Sequence, residues 1–211
     1  MPLLRIEESG FATVGIWALT ETWEELAGRC MLTDYGKSQF QDCHHAARKR
    51  EFLAVRMLVK AMTGGFRDIH YSPSGKPSLD LNGPFISITH SQNMVAVILS
   101  NKPAGIDAEK VGRNISDVAS RFLSGYELEW TSHTADPGKA LLYCWCCKEA
   151  VYKMMDAGDV VFKKTILVEP VDVKKQKTGR VLFLHDGKTV EIETRHHFAN
   201  DNIIVWCTLG F

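Results

Sequence analysis

The chain has no excess of charge of either sign, with 25 Lys plus Arg against 25 Asp plus Glu in 211 residues. A dedicated nucleic-acid binder normally carries a basic surplus, so no nucleic-acid partner is expected, although a local basic site for a small polyanion remains open. Long hydrophobic runs are also missing. The longest candidate, Met94 to Leu99, is strand-sized and far short of the roughly 18 apolar residues of a membrane span. Met1 to Gly10 lack a basic segment followed by an apolar run, so no secretory signal and a cytoplasmic location are expected. The six cysteines form no CxxC pair, which disfavours a zinc site and a disulfide framework and leaves buried free thiols as the expectation. The GxxxxGK[ST] phosphate loop, the GxSxG elbow and the HExxH zinc motif are all absent.

What is present reads as two halves. Residues 12–19 form an apolar run that predicts a buried strand, and Glu21 to Met31 read as a helix with Thr20 as N-cap. Lys37 to Met62 read as one long helical stretch, because Phe52, Val55, Val59 and Met62 recur at helix spacing. Thr63-Gly64-Gly65 ends it. A Pro- and Gly-rich turn (residues 71–77) follows, then strands at Phe85–Thr89 and Met94–Leu99 that read as a hairpin. Asn101-Lys102-Pro103 marks the boundary, giving lobes 1–102 and 103–211. The second half repeats the order: a strand at 104–109, helical stretches at 115–123, 127–131 and 139–155, then strands at 166–173, 180–184, 189–194 and 203–208. Lys174 to Gly179 read as a solvated turn. Arg50 to Met57 echo Lys148 to Met154, which is either internal duplication or the chance likeness of two helices.

Three groups of residues could carry chemistry. In Gly105-Ile106-Asp107-Ala108-Glu109-Lys110 the strand repeat sends Asp107 and Glu109 to one face. Two carboxylates so placed suit a hard divalent cation bound together with phosphates, or are simply the acids of an exposed edge strand. In Trp145 to Lys153, Trp145, Lys148, Glu149, Tyr152 and Lys153 fall within an arc of roughly 140° on a helical projection. Such an arc presents an acid between two lysines, either for metal and phosphate or as a surface ion pair. The third group is Gly75-Lys76-Pro77 with Thr89-His90-Ser91, a rigid turn and a strand-end histidine that could clasp phosphate.

Taken in order, Gly75-Lys76-Pro77, Thr89-His90-Ser91, Gly105 to Glu109, Phe122-x-Ser124-x-x-Glu127 and Trp145 to Lys153 resemble the 4′-phosphopantetheinyl transferase family. The likeness is to its larger two-lobed branch, typified by the surfactin-synthetase-activating enzyme. The resemblance implies an α+β fold of two similar, pseudo-symmetric lobes with the active site in the cleft between them. It implies a Mg²⁺-dependent, monomeric enzyme that moves phosphopantetheine from coenzyme A to a serine of an apo acyl or peptidyl carrier protein, a holo-carrier synthase. Residues 1–102 would bind the nucleotide end of coenzyme A, and residues 103–211 would hold the metal and pyrophosphate. Asp107, Glu109 and Glu149 would hold Mg²⁺, and Lys148 and Lys153 would face the phosphates. Lys76, Thr89, His90 and Ser91 would hold the nucleotide, and Glu127 would lie near the metal or the incoming serine. The sequence departs from the family at Cys146, at Leu123, and in lacking the first-lobe lysines that grip the 3′-phosphate. Among Lys37, Arg48, Lys49 and Arg50, Arg50 is the preferred substitute. A different Mg²⁺-dependent phosphotransferase and a non-catalytic coenzyme A- or carrier-binding module are the competing readings.

Overall fold

The computed structural model describes residues 2–10, 12–79, 83–156, 158 and 160–210. The chain divides into two compact units, Met1–Lys102 and Pro103–Phe211, each pairing one antiparallel sheet with one long helix.

Unit one begins with β1 (Leu3–Ser9) and β2 (Ala12–Ala18), then α1 (Trp23–Ala27), α2 (Asp34–Gln41) and α3 (Ala46–Thr63). β3 (His70–Tyr71), β4 (Pro77–Ser78), β5 (Phe85–Ser91) and β6 (Met94–Ser100) complete a six-stranded sheet of order β1-β2-β6-β5-β4-β3. Helix α3 covers the sheet, placing Leu53, Leu58 and Val59 against Val95, Val97 and Ile86. Gly64, at φ 78°, ends α3 in the left-handed conformation that glycine adopts without a steric cost. Two helix boundaries differ from the sequence expectation. The first helix is capped by Thr22, not Thr20, because Glu25 three residues on closes a capping box with it. The expected Lys37–Met62 helix is interrupted between α2 and α3, since Thr33 caps a separate helix over Asp34–Gln41.

Unit two opens on β7 (Ala104–Lys110) and a 3₁₀ turn at Ser116–Val118, followed by α4 (Ala119–Phe122), α5 (Gly125–Ser132), α6 (Pro137–Met155) and α7 (Phe162–Thr165). β8 (Ile166–Val168), β9 (Thr178–His185), β10 (Lys188–Ala199) and β11 (Asn202–Thr208) join β7 in a sheet of order β7-β11-β10-β9-β8. β8 is shorter than expected because Glu169-Pro170 follow it, and proline cannot donate to a ladder. β10 is longer: twelve residues pair with β9 at one end and β11 at the other. Helix α6 packs on β7 and β11, and Arg50–Met57 and Lys148–Met154 each lie on the long helix of their own unit. Two α+β units of the same plan are the fold class that the motifs implied. No described helix is long and apolar enough to cross a membrane.

Candidate active site

The approach of α6 to β7 builds the acidic site. Gly105 makes it possible: a Cβ there would collide with the Ala150 carbonyl and stand 3.0 Å from the Met154 nitrogen. Both obstacles are helix backbone, which cannot step aside as a flexible side chain would. Gly105→Ala is therefore expected to cost about 1–3 kcal/mol, the range for overpacking. Thermal or urea melting checks it, and an unchanged midpoint would mean that the contact is softer than described.

With the helix that close, Lys153 reaches back across the strand. Its Nζ donates to Asp107 Oδ1 at 2.8 Å and to the Ile106 carbonyl at 3.0 Å. Asp107 is almost wholly buried, and Glu109, two residues on, is held by Arg113. Glu149, half-buried on α6, lies within electrostatic range of both. Burial raises its pKa most, the Asp107 charge adds to that, Lys153 opposes it, and Glu109 adds further. Asp107, Glu109 and Glu149 are thus hard oxygen donors gathered in one region, each balanced or pulled by protein charge. Among the described residues no group of three or more His, Cys, Asp or Glu side chains is placed closely enough to hold a metal ion as it stands.

Lys148 and Glu127 are placed differently from the sequence expectation. Helical projection sets Lys148 beside Glu149, but both Lys148 and Glu127 are fully buried, with Nζ 2.8 Å from Oε1. The same ammonium donates to the carbonyls of Phe162 (3.2 Å) and Ile166, which uses its three protons. Glu127 Oε2 accepts from the Ser124 N–H at 2.7 Å, closing the capping box of α5, and Oε1 accepts from the Val168 N–H at 2.8 Å. Burial lowers the Lys148 pKa, while the Glu127 charge works against that shift. The pair therefore ties α5, α6, α7 and β8 together inside unit two. Its groups are spent on one another and on backbone, so neither side chain is exposed as the resemblance implied.

The aromatic part of the motif lines α6 nearby. Trp145 stands edge-on to Phe122 with ring centroids 4.9 Å apart, and Tyr152 lies 5.6 Å from Phe162. The cysteines take no chemical part. All six are free and five are buried. Burial pushes the Cys147 thiol up to about 12 and Cys146 well above its ordinary value, so neither supplies a thiolate near pH 7.

In unit one, the residues expected to grip a nucleotide are split by the strand repeat. On β5, Ile88 and His90 line a cavity of about 170 Å³ with Arg48, Arg56, Tyr71 and Gly75. Thr89 and Ser91 alternate with them and fall on the other face. Lys76 is half-buried at the cavity's edge turn, where Gly75 at φ 84° lets Ser72 bond the backbone of Lys76 in both directions. Arg50 has a buried Nε but does not line this cavity. Arg48 and Arg56 do, and they are the residues that sequence reasoning passed over or ranked below Arg50. Arg48 and His90 both reach Glu51, each at 3.5 Å. Arg56 is buried, donates to the Phe52 carbonyl (3.2 Å) and to Gln39 (2.7 Å), and stacks 3.3 Å from the Phe52 ring centroid. Burial lowers its pKa, yet a guanidinium keeps its proton, so Arg48 and Arg56 bring two fixed positive charges to a cavity that the Glu51 carboxylate also lines.

Comparison with known proteins agrees with the motif reading. Residues 103–207 match the family model of the 4′-phosphopantetheinyl transferase superfamily. The second unit, with its Asp107, Glu109, Glu149 and Lys153, belongs to that superfamily. A Haemophilus influenzae protein provisionally named a 4′-phosphopantetheinyl transferase is 34% identical over 127 residues, covering 55% of this chain and 53% of that protein. The 4′-phosphopantetheinyl transferase gsp of Aneurinibacillus migulanus is 30% identical over 142 residues, covering 65% of this chain and 57% of its own length. The matched stretch thus spans little more than half the length of these curated relatives.

Proposed function

We propose that the chain transfers the phosphopantetheine arm of coenzyme A to a serine of an apo carrier protein and releases adenosine 3′,5′-bisphosphate. The observation that carries this reading is the cluster of Asp107, Glu109, Glu149 and Lys153 on β7 and α6, inside the part of the chain that matches the superfamily. The donors fit Mg²⁺ by their chemistry: Glu149 lies within electrostatic range of Asp107 and Glu109, both of which already attract a protein cation, and all three supply the hard oxygens that this ion prefers. Asp107, Glu109 and Glu149 would hold the ion, and when bound it neutralises charge on the pyrophosphate.

The chain's own groups supply the rest. The serine oxygen attacks the β-phosphorus, and the bond from that phosphorus to the bridging oxygen of the leaving nucleotide breaks. Glu149, whose proton affinity is raised by burial and by Asp107, accepts the serine proton. Lys153 holds Asp107 and would offer its ammonium to a phosphate; Lys148, sealed inside with Glu127, is assigned to scaffolding. The cavity lined by Arg48, Arg56 and His90 is proposed for the nucleotide end of coenzyme A, with Arg48 replacing Arg50 as the 3′-phosphate contact. Positioning and charge neutralisation are what such phosphoryl transfers chiefly require.

The reading is tested by release of adenosine 3′,5′-bisphosphate from coenzyme A, which should require both Mg²⁺ and a carrier with its serine intact. Release with a carrier whose serine is replaced would mean a different acceptor. The nucleotide assignment has its own test. Coenzyme A should raise the melting temperature more than 3′-dephospho-coenzyme A, since a ligand contributes RT ln(1 + [L]/Kd), about 2.7 kcal/mol at a hundredfold excess. Arg48→Ala should abolish that difference and Arg50→Ala should not; the opposite pattern would return the contact to Arg50.

A further inference from the structure

The turn after β7 sends a cation back onto one of the site's carboxylates. Gly112, at φ 89°, reverses the chain, and the Arg113 N–H donates to the Lys110 carbonyl at 3.1 Å. The Arg113 side chain then returns over the strand and its Nη1 meets Glu109 Oε1. The two groups differ in environment: Glu109 is 17% exposed at its side chain and Arg113 52%. The arginine therefore reaches the acid from the solvent side. Its field extends beyond that one partner, since Asp107 also acts on it, after Glu109. Lys153 already holds Asp107 from the helix side, so the carboxylates meet both Lys153 and Arg113.

A guanidinium and a divalent cation seek the same carboxylate lone pairs. If Arg113 kept Glu109 while a divalent cation bound, the cluster would pass from net negative to net positive before any phosphate arrived. We infer that Arg113 is a positioning residue that competes with the divalent cation for Glu109, and so sets the metal concentration at which the site fills. The inference rests on the metal assignment of the proposed function. Arg113 touches no reacting atom; it acts through Glu109.

The test is a Mg²⁺ titration followed by thermal melting, without coenzyme A or carrier. A partly exposed pair contributes about 0.2–1 kcal/mol, so Arg113→Gln should lower the half-saturating Mg²⁺ concentration by roughly 1.4- to fivefold. Arg113→Lys, which keeps a cation there, should stay near wild type. An arginine with only a structural role would shift the melting temperature at zero Mg²⁺ and leave the titration midpoint alone. That result, or a midpoint that rises in Arg113→Gln, overturns the inference, as does a wild-type melting temperature that ignores Mg²⁺. Failure of the transferase reading is separate: it would show as a wild-type protein that fills with Mg²⁺ yet transfers nothing.

Discussion

Lys148→Met is expected to unfold much of the protein's stability margin, lowering the free energy of unfolding by about 3–5 kcal/mol. The reason is Glu127, whose carboxyl group would stay fully buried with its cation gone. Methionine fills a similar volume, so the loss would come from charge and not from a cavity. Neutralising both partners separates the two effects. Lys148→Met with Glu127→Gln should recover part of the loss, and a double-mutant cycle should give a coupling energy of about 0.5–3 kcal/mol. Recovery should be incomplete, because Glu127 also accepts from the Ser124 and Val168 N–H groups, and an amide can satisfy only one of these with its oxygen. Chemical denaturation of the four proteins checks it. A Lys148→Met protein as stable as wild type but unable to transfer would restore the phosphate-facing role that the sequence suggests.

Glu149→Gln should do the reverse: lose transfer by a factor of about 10²–10⁴ and gain stability at neutral pH. The sign follows from linkage. Burial and the Asp107 charge hold the folded-state pKa of Glu149 above the ordinary carboxylate value, so the folded protein binds the proton more tightly than the unfolded chain. Stability is therefore lost as pH rises from the unfolded value through the folded one, and the ionised carboxylate is a net cost above that window. Glutamine removes the cost, so the gain should fade as pH falls below the unfolded value. Melting curves at neutral and acidic pH, beside a transfer assay, show both halves. A variant that is inactive and less stable would mean that Glu149 holds the fold together and is not a strained functional acid.

The two residues, neighbours in sequence, show where sequence reasoning stops. A helical projection sets Lys148 and Glu149 side by side, since it knows the helix but not what packs on it. Helix α5, α7 and β8 close over one side of α6 and take Lys148 inside, while Glu149 stays half-exposed near β7. The Asp107 and Glu109 pair was legible because a strand's alternation is local and needs no knowledge of partners. Alternation also explains the part of Thr89-His90-Ser91 that misled: a hydroxyl-His-hydroxyl triplet on a strand cannot present all three side chains to one cavity. Arg48 and Arg56 were harder to read, because the cavity they line lies between α3 and β5 and exists only once those elements meet. The glycine of the acidic motif was legible as a letter and not as a reason, which is the passage of the Ala150 backbone over Gly105.

The most direct measurement is the intact mass of an apo carrier protein after incubation with this chain, coenzyme A and Mg²⁺. The account predicts a gain of one phosphopantetheine on the carrier's serine, lost on chelation of the metal and in Asp107→Ala. A carrier mass that stays unchanged, with a folded enzyme and a carrier that a known transferase can load, would contradict it.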